Sequence, residues 1–357
     1  MKPRIPLVFP LHCANLYGTE RMAINILRGV QEQFDGVLLS PQGPVVAEAR
    51  KQGLDVRPFQ NTWQLVVQLR RLLQNHRELA FMATGVVHSL ILIALNTIYR
   101  RKVAHFHRVP GGTDEKLSYG RKKYLVPFDV TFITNSVYTR SRLAAHGVSQ
   151  ERVVVIENFL DASYFSRAQQ RAPFTSRGAL NIAVVSRIDP IKRIDVLLDA
   201  LDNHPQLNAL NIRIYGQGEL FPLMKDRAQR SNPNVEFVGF SSDIQGELAK
   251  ADLLVHLCPE EPFGLVIIEA MAARVPVLVA DQGGAADLVE DGISGFRFRA
   301  NDPDDLAQKL KDLMLAPAER LQAITDQATQ SLDQRFSARR RLADYRQQLS
   351  NGLRRSA

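Results

Sequence analysis

The chain has 357 residues, 45% of them hydrophobic and 23% charged, which is long for one compact core and comfortable for two. Its two cysteines, Cys13 and Cys258, stand far apart and outside any Cys-x-x-Cys or Cys/His cluster. That excludes a disulfide framework and a cysteine-built zinc site and fits a reducing, cytoplasmic setting. The net charge of +8 is unevenly spread: residues 1–165 hold 21 Lys and Arg against 12 Asp and Glu, and the remainder is close to neutral.

The first apolar run, residues 5–11, follows Lys2 and Arg4 and is interrupted by Pro6 and Pro10. It is too short for a signal-peptide core and reads as the first strand of a sheet. Short apolar strands then alternate with amphipathic helices: strands at 36–40, 55–58, 79–83, 103–106, 130–135 and 153–156, helices at 20–33, 63–75, 86–99 and 138–146. The uncharged stretch 79–99 is as long as a membrane span, but Thr84, Gly85, His88, Ser89, Asn96 and Thr97 weaken a lipid-facing reading. It is expected as a buried strand, a glycine turn and a buried helix. Basic clusters sit at Arg70/Arg71/Arg77, Arg100/Arg101/Lys102, Arg121/Lys122/Lys123 and Arg339–Arg341. No recognition motif supports nucleic acid as a partner. An anionic membrane surface or a phosphorylated, lipid-linked acceptor suits them better, with a merely solvated basic face as the alternative.

A polar stretch at 167–178 reads as a linker, after which the alternation restarts at 181–185, 194–201, 211–215, 220–230, 235–238, 244–250, 253–257, 267–273 and 275–280. The expected fold is α/β: two doubly wound Rossmann-like domains, 1–165 and 166–336, facing across a cleft at the C-terminal ends of both sheets.

Within the second half, Glu261 and Glu269 flank a Pro-Phe-Gly turn and the start of an apolar helix. Their spacing is slightly over two helical turns, so both acids can look toward one cleft if the helix begins early. Glu269 lies in an otherwise apolar run, where a charge needs a partner, and ribose hydroxyls would serve. Taken alone, the pair reads better as a surface acid and an ion-paired one. Arg187 and Lys192 emerge in a strand-to-helix loop, and two cations there suit a diphosphate. Gly216-Gln217-Gly218 ends a strand and is weak evidence of phosphate binding by itself. Asp302-Pro303-Asp304 looks like a metal-binding acid pair, yet a helix N-cap with proline at the first position explains it better.

The string from His256 to Gly284, taken with these segments, resembles the signature of the retaining, nucleotide-sugar-dependent glycosyltransferases of GT-B architecture, the group 1 type of family four. The resemblance is strong from about 181 to 303 and moderate before that. It implies that Arg187 and Lys192 bind the donor diphosphate, that Glu261 lies by the donor sugar hydroxyls, and that Glu269 bonds the ribose. The N–H groups of Phe263, Gly264 and Leu265 would face phosphate at a helix start. Gly216 would stand beside the nucleotide, and Gly239, Phe240 and Asp243 would bracket the base. Arg193 and Arg274 replace usual glycines, and Asp287 a usual glutamate. In the first half, Tyr17-Gly18-Thr19-Glu20-Arg21 is similar to the family's Gly-Gly-x-Glu-Arg loop, with Gly18 near the diphosphate and Tyr17 in place of glycine. His107 is expected beside the transferred sugar, with His105 alternating to the other face; core packing is an even alternative for either ring. Asn135, Ser136, Thr139, Arg140, Asn158 and Asp161 also match, while Phe159 replaces a glycine. The final helix, from about 337, would pack back on the first domain.

The implied activity is transfer of a sugar from a nucleotide-diphosphate sugar to an acceptor hydroxyl with retention, without metal or further cofactor. The products would be cell-surface glycan, polysaccharide or lipid-linked glycan, made in the cytoplasm or on the inner face of its membrane. Front-face attack is implied, with Glu261 orienting the sugar; double displacement through Glu261 is the lesser version. An epimerase or hydrolase on the same fold, and a non-catalytic sugar- or membrane-binding scaffold, remain as alternatives. Sugar, nucleotide, acceptor and oligomeric state are not written in the sequence.

Overall fold

The computed structural model describes residues 4–112, 118–161, 164, 174 and 180–355. The chain folds into two units, residues 1–159 with 338–357, and residues 160–337. The linker expected at 167–178 lies outside the described residues except for Phe174.

The first unit is built on β1 (Ile5–Pro10), β2 (Phe34–Pro41), β3 (Asp55–Phe59), β4 (Glu78–Ala83), β5 (Lys102–Val109), β6 (Thr131–Thr134) and β7 (Val153–Val155). Their order across the sheet is β3-β2-β1-β4-β5-β6-β7, with every pairing parallel. Leu7, Val8 and Phe9 on β1 and Phe81 on β4 are fully buried, because helices cover both faces of a parallel sheet. That is why these strands read as continuous apolar runs. Asn61 and Ser136 cap the helices Thr62–Asn75 and Val137–Ala145, accepting bonds from Gln64 and Thr139 N–H groups at 3.0 Å.

The helix Val86–Tyr99 departs from expectation. Only His88, Ser89 and Leu92 are buried in it, while Val87 and Ile98 are 61% and 74% exposed. Composition made it look buried all round, but the positions that turn inward form one narrow stripe. Among the described residues, no helix is long and apolar enough to cross a membrane.

The closing helix Ala338–Arg355 belongs to this same unit. Glycines at the two crossing points permit its approach. A Cβ on Gly352 would stand 2.6 Å from the Phe106 ring, and one on Gly29 would overlap Leu342. Arg346 donates to the Gly29 carbonyl at 2.6 Å. Arg108, almost fully buried, donates to Tyr345 Oη at 3.3 Å and to Asn158 Oδ1 at 2.6 Å.

The second unit holds β8 (Asn181–Val185), β9 (Asn211–Tyr215), β10 (Val235–Gly239), β11 (Leu253–His256), β12 (Val277–Ala280) and β13 (Phe296–Phe298). Their order is β10-β9-β8-β11-β12-β13, again all parallel. In each sheet the winding reverses once, between β1 and β4 and between β8 and β11. Loops diverge at such a switch point and leave a crevice beyond the strand ends. Asp302 caps the helix Pro303–Met314, accepting from the Asp305 N–H at 3.0 Å, so its carboxylate serves the helix start.

Candidate functional site

At the switch point of the second unit, β11 ends in His256 and the chain turns back through Glu261 to the helix Leu265–Ala272. The turn is clamped from the side. Gly284 N–H donates to the Glu261 carbonyl at 2.7 Å, and a Cβ on Gly284 would fall 2.1 Å from the Pro262 oxygen. Only glycine permits that backbone to lie against this one. Gly264 enters the helix at φ +89, a left-handed conformation that side chains resist.

Lys192 ends a short 3-10 turn, Pro190–Lys192, after β8. Its Nζ lies 2.6 Å from Glu261 Oε2, and each side chain is only 14% exposed. His256 Nε2 lies 3.1 Å from the same oxygen. Burial on its own raises the Glu261 carboxyl, but the Lys192 charge and the bond from His256 outweigh it and hold the group well below the usual carboxylate range. An ionised carboxylate only accepts, so His256 carries its proton on Nε2. Burial opposes the charge on Lys192, yet Glu261 raises its pKa overall. Burial pushes the neighbouring Cys258 thiol up to about 12. The result is a fixed ion pair in a nearly dry setting.

Arg187 is more open, with 62% of its side chain exposed and an ion pair to Asp189 at 2.5 Å. Its charge still acts on Lys192. Glu269 lies on the helix and accepts from Tyr164 Oη at 3.1 Å. Since the helix starts at Leu265, Glu261 precedes it, and the two acids are not two turns apart on one helix as the spacing suggested. The Phe263 ring is buried against Phe336 with centroids 5.9 Å apart, so only its backbone is available to a ligand. Phe240, just past β10, is 71% exposed.

The Gly216-x-Gly218 turn has a structural reason of its own. A Cβ on Gly216 would stand 1.8 Å from the Ser186 oxygen, and one on Gly218 2.5 Å from that of Ile188. The two glycines let the loops after β8 and β9 run in contact. Arg193 and Arg274 both adopt positive φ, 53 and 58, which explains why glycine is usual at these positions. Here each is tied down instead, Arg193 by Asp195 at 2.9 Å and Arg274 by Asp326.

In the first unit, Gly18 opens the helix Gly18–Gly29 and Tyr17 is half exposed. His107 sits two residues inside β5, 0% exposed. Its Nδ1 and the Nε2 of His105 both lie 3.0 Å from Ser89 Oγ. The two rings therefore share one face, against the expectation that they alternate; residues two apart on a strand always do. Burial lowers His105 to about 3 and His107 well below its ordinary value. Asn135, Ser136 and Thr139 form a cap and bond one another.

The expected residues thus fall into one cluster in each unit. Lys192 and Glu261 are joined, with Arg187 near; Glu269 is held by Tyr164; His107 stands apart in the first sheet. Sequence reasoning missed His256 as a partner of Glu261, and it missed His12, His88, Ser89 and buried Lys122 around His107. The available signal was position, since several of these residues follow the ends of strands. Among the described residues, no group of three or more His, Cys, Asp or Glu is arranged to hold a metal ion.

Residues 166–331 match the family model described as Glycosyl transferases group 1. A glycosyltransferase of Methanocaldococcus jannaschii is 26% identical over 200 residues, 52% of this chain and 56% of that protein. The D-inositol 3-phosphate glycosyltransferase of Streptomyces avermitilis is 32% identical over 206 residues, 52% of this chain and 44% of the relative. The chain thus spans about half the length of the curated relatives it matches. Among solved structures, HepE of Anabaena in complex with UDP and glucose superposes with a TM-score of 0.81 at 22% identity, over 97% of this chain and 100% of that one. This likeness shows the fold, two Rossmann-like domains of the GT-B architecture. It is through residues 166–331, which carry the Lys192–Glu261 pair and Glu269, that the chain is similar to the glycosyl transferases group 1 family.

Proposed function

We propose that the protein is a retaining glycosyltransferase that moves a hexose from a nucleoside-diphosphate sugar to an acceptor hydroxyl. The observation that carries this reading is the buried Lys192–Glu261 pair, 2.6 Å long, with His256 on the same oxygen. A leaving diphosphate gains negative charge as the glycosidic bond breaks, and a preplaced cation in a dry site stabilises that change more than it stabilises the ground state. Lys192 and Arg187 supply the charge without a metal, with the N–H groups of Phe263, Gly264 and Leu265 at the helix start. Glu261, kept ionised and fixed by His256, orients the sugar hydroxyls. Glu269 takes the ribose hydroxyls from its place beside Tyr164. The acceptor attacks from the face the diphosphate leaves, and the departing phosphate oxygen takes the acceptor proton.

The donor we favour is UDP-glucose, on the support of the Anabaena protein, solved with UDP-glucose. His107 is assigned to the transferred sugar; its closed surroundings must part for it to make that contact. The acceptor is a glycan or a lipid-linked glycan precursor, presented at the inner face of the cytoplasmic membrane. Exposed Val87 and Ile98 on a helix followed by Arg100, Arg101 and Lys102 would associate peripherally with anionic lipid. The test is a thermal-shift series with UDP-, GDP-, ADP- and TDP-sugars, with and without EDTA, followed by UDP release. Stabilisation by UDP-glucose that survives EDTA is expected; binding abolished by EDTA, or binding without any turnover, defeats the proposal.

A further inference from the structure

The first unit holds a buried ammonium that the donor chemistry does not use. Lys122 lies in the 3-10 turn Gly120–Leu125 and is 8% exposed. The one bond its side chain makes among the described residues is to the Ser118 carbonyl at 2.6 Å, and no described carboxylate pairs with it. An ammonium has three protons to place, and a buried cation without a counter-charge is costly. Burial lowers its pKa to about 8, which leaves it charged at neutral pH.

Around it the sheet presents imidazoles and hydroxyls. His12, just past β1, is exposed, and its Nδ1 lies 3.2 Å from Thr84 Oγ1 beyond the end of β4. His107 pairs in register with Ala83, the last residue of β4. The Lys122 charge acts on both His12 and His107. Two ring nitrogens here, His107 Nε2 and His88 Nδ1, are buried with no hydrogen-bond partner. A buried polar atom left without a partner is costly, and a polar occupant would recover that cost. His12 and Thr84 stand at the β1/β4 switch point, where an open α/β sheet takes its ligand, and the turn that carries Lys122 packs on the helix Val86–Tyr99, which follows β4 and holds His88 and Ser89. A purely structural lysine would find acceptors for its remaining protons, as Lys102 does with Glu78 at 2.7 Å.

We propose that this end of the first sheet is an acceptor subsite for an anionic group, a phosphate or a carboxylate, which enters beside His12 and pairs with the ammonium of Lys122. The inference rests on the glycosyltransferase reading and narrows its acceptor to an anionic one. The Ser89 hydroxyl bridges His105 Nε2 and His107 Nδ1. An anion favours the tautomer in which Ser89 donates to His107 Nδ1, placing the proton on Nε2 where it can join the contact.

The experiment titrates inorganic phosphate, and separately acetate, into the full-length protein while side-chain NMR follows the histidine rings. Phosphate is expected to shift His12 and His107 saturably, and Lys122→Met to weaken that response at least about tenfold, the scale of one lost charge-assisted bond. Lys192→Met, which removes the donor-side cation, should leave the response in place. A response to acetate as strong as that to phosphate assigns a carboxylate acceptor, and phosphate alone a phosphorylated one. An unmoved His12 in the natural protein, or an identical response in Lys122→Met, overturns the proposal. Should that variant not fold, the natural protein still decides: phosphate affinity must fall as Lys122 loses its proton above about pH 8. His12 and His107, both lowered chiefly by burial, stay neutral over that range, so a constant affinity refutes the site. Failure of the donor reading would look different, with UDP-glucose binding absent and the histidine response intact.

Discussion

Replacing Lys192 with Met separates the electrostatic role of the pair from its packing, since Met keeps the length and loses the charge. The change removes the ammonium 2.6 Å from Glu261 Oε2 and strands a carboxylate only 14% exposed. Removing one partner of a buried pair costs about 3–5 kcal/mol. His256 still donates at 3.1 Å, which puts the expectation at the low end, about 3 kcal/mol. For a domain of this size each kcal/mol moves the midpoint by about 2–4 °C, so the second unit should melt about 6–12 °C lower. Adding Glu261→Gln removes the stranded charge and should return about half of the loss or more. The pH dependence has a definite sign. In the natural protein, Glu261 titrates well below its ordinary value because Lys192 and His256 overcome its burial. Its stabilising contribution is therefore complete above the unfolded pKa of about 4.3 and is lost as pH falls through the lowered folded value. In the Met variant burial dominates, the carboxyl moves up, and the deficit should shrink on going from about pH 7.5 to about pH 5. Calorimetry of the three proteins at both pH values, with initial rates of UDP release, tests each part. Activity should fall about 100- to 1,000-fold, as for a lost oxyanion donor. A midpoint within about 1 °C of the natural protein, or a double variant less stable than Lys192→Met, refutes the argument.

Other consequences are simpler. Gly284→Ala puts a Cβ 2.1 Å from the Pro262 oxygen, so the Glu261 loop must move; urea unfolding should show a loss of about 1–3 kcal/mol, accompanied by weaker UDP binding. Asp302→Ala removes the cap on the Asp305 N–H and should lower the thermal midpoint while leaving UDP release unchanged; equal loss of activity would put Asp302 in the site. His88 and His105 are held down to about 4 and about 3, chiefly by burial, and stay neutral where unfolded histidines protonate. Stability of the first unit should therefore fall as pH drops from about 6.5 toward 4, by about 1.4 kcal/mol per pH unit for each ring. It should level off once the folded rings titrate, and urea midpoints flat across that window would show the rings are not kept neutral. Sedimentation with anionic vesicles should bind the protein at low salt and release it as salt rises; binding unaffected by salt argues against a basic docking face.

The fold was legible because burial on both faces of a parallel sheet leaves unbroken apolar runs, and those runs alternate with helices. The loops around Glu261 and Lys192 were legible for a related reason. Backbone contacts at Gly216, Gly218, Gly283 and Gly284 leave no room for any side chain, so the loops that hold Glu261 and Lys192 are written as glycine at fixed places. The early helix start that would have put Glu261 and Glu269 on one face is not made, because Gly264 enters the helix at positive φ.

The first unit hid its chemistry in orientation, which composition does not encode. Lys122 reads as one of three consecutive cations, Arg121 to Lys123. A 3-10 turn repeats every three residues, and Tyr119, Lys122 and Leu125 are the ones it turns inward. The same charge run thus supplies two exposed cations and one buried one, and only the turn type decides which. His105 and His107 teach the converse: a strand's period of two puts both on the face that meets Ser89, and that was available from spacing alone. The loops that hold Glu261 and Lys192 rest on glycines that a sequence displays, and the burial of Lys122 rests on which face of a short turn it takes. Under the proposed subsite, a single substitution at Lys122 would change which acceptor is taken and leave the loops around Glu261 and Lys192 intact.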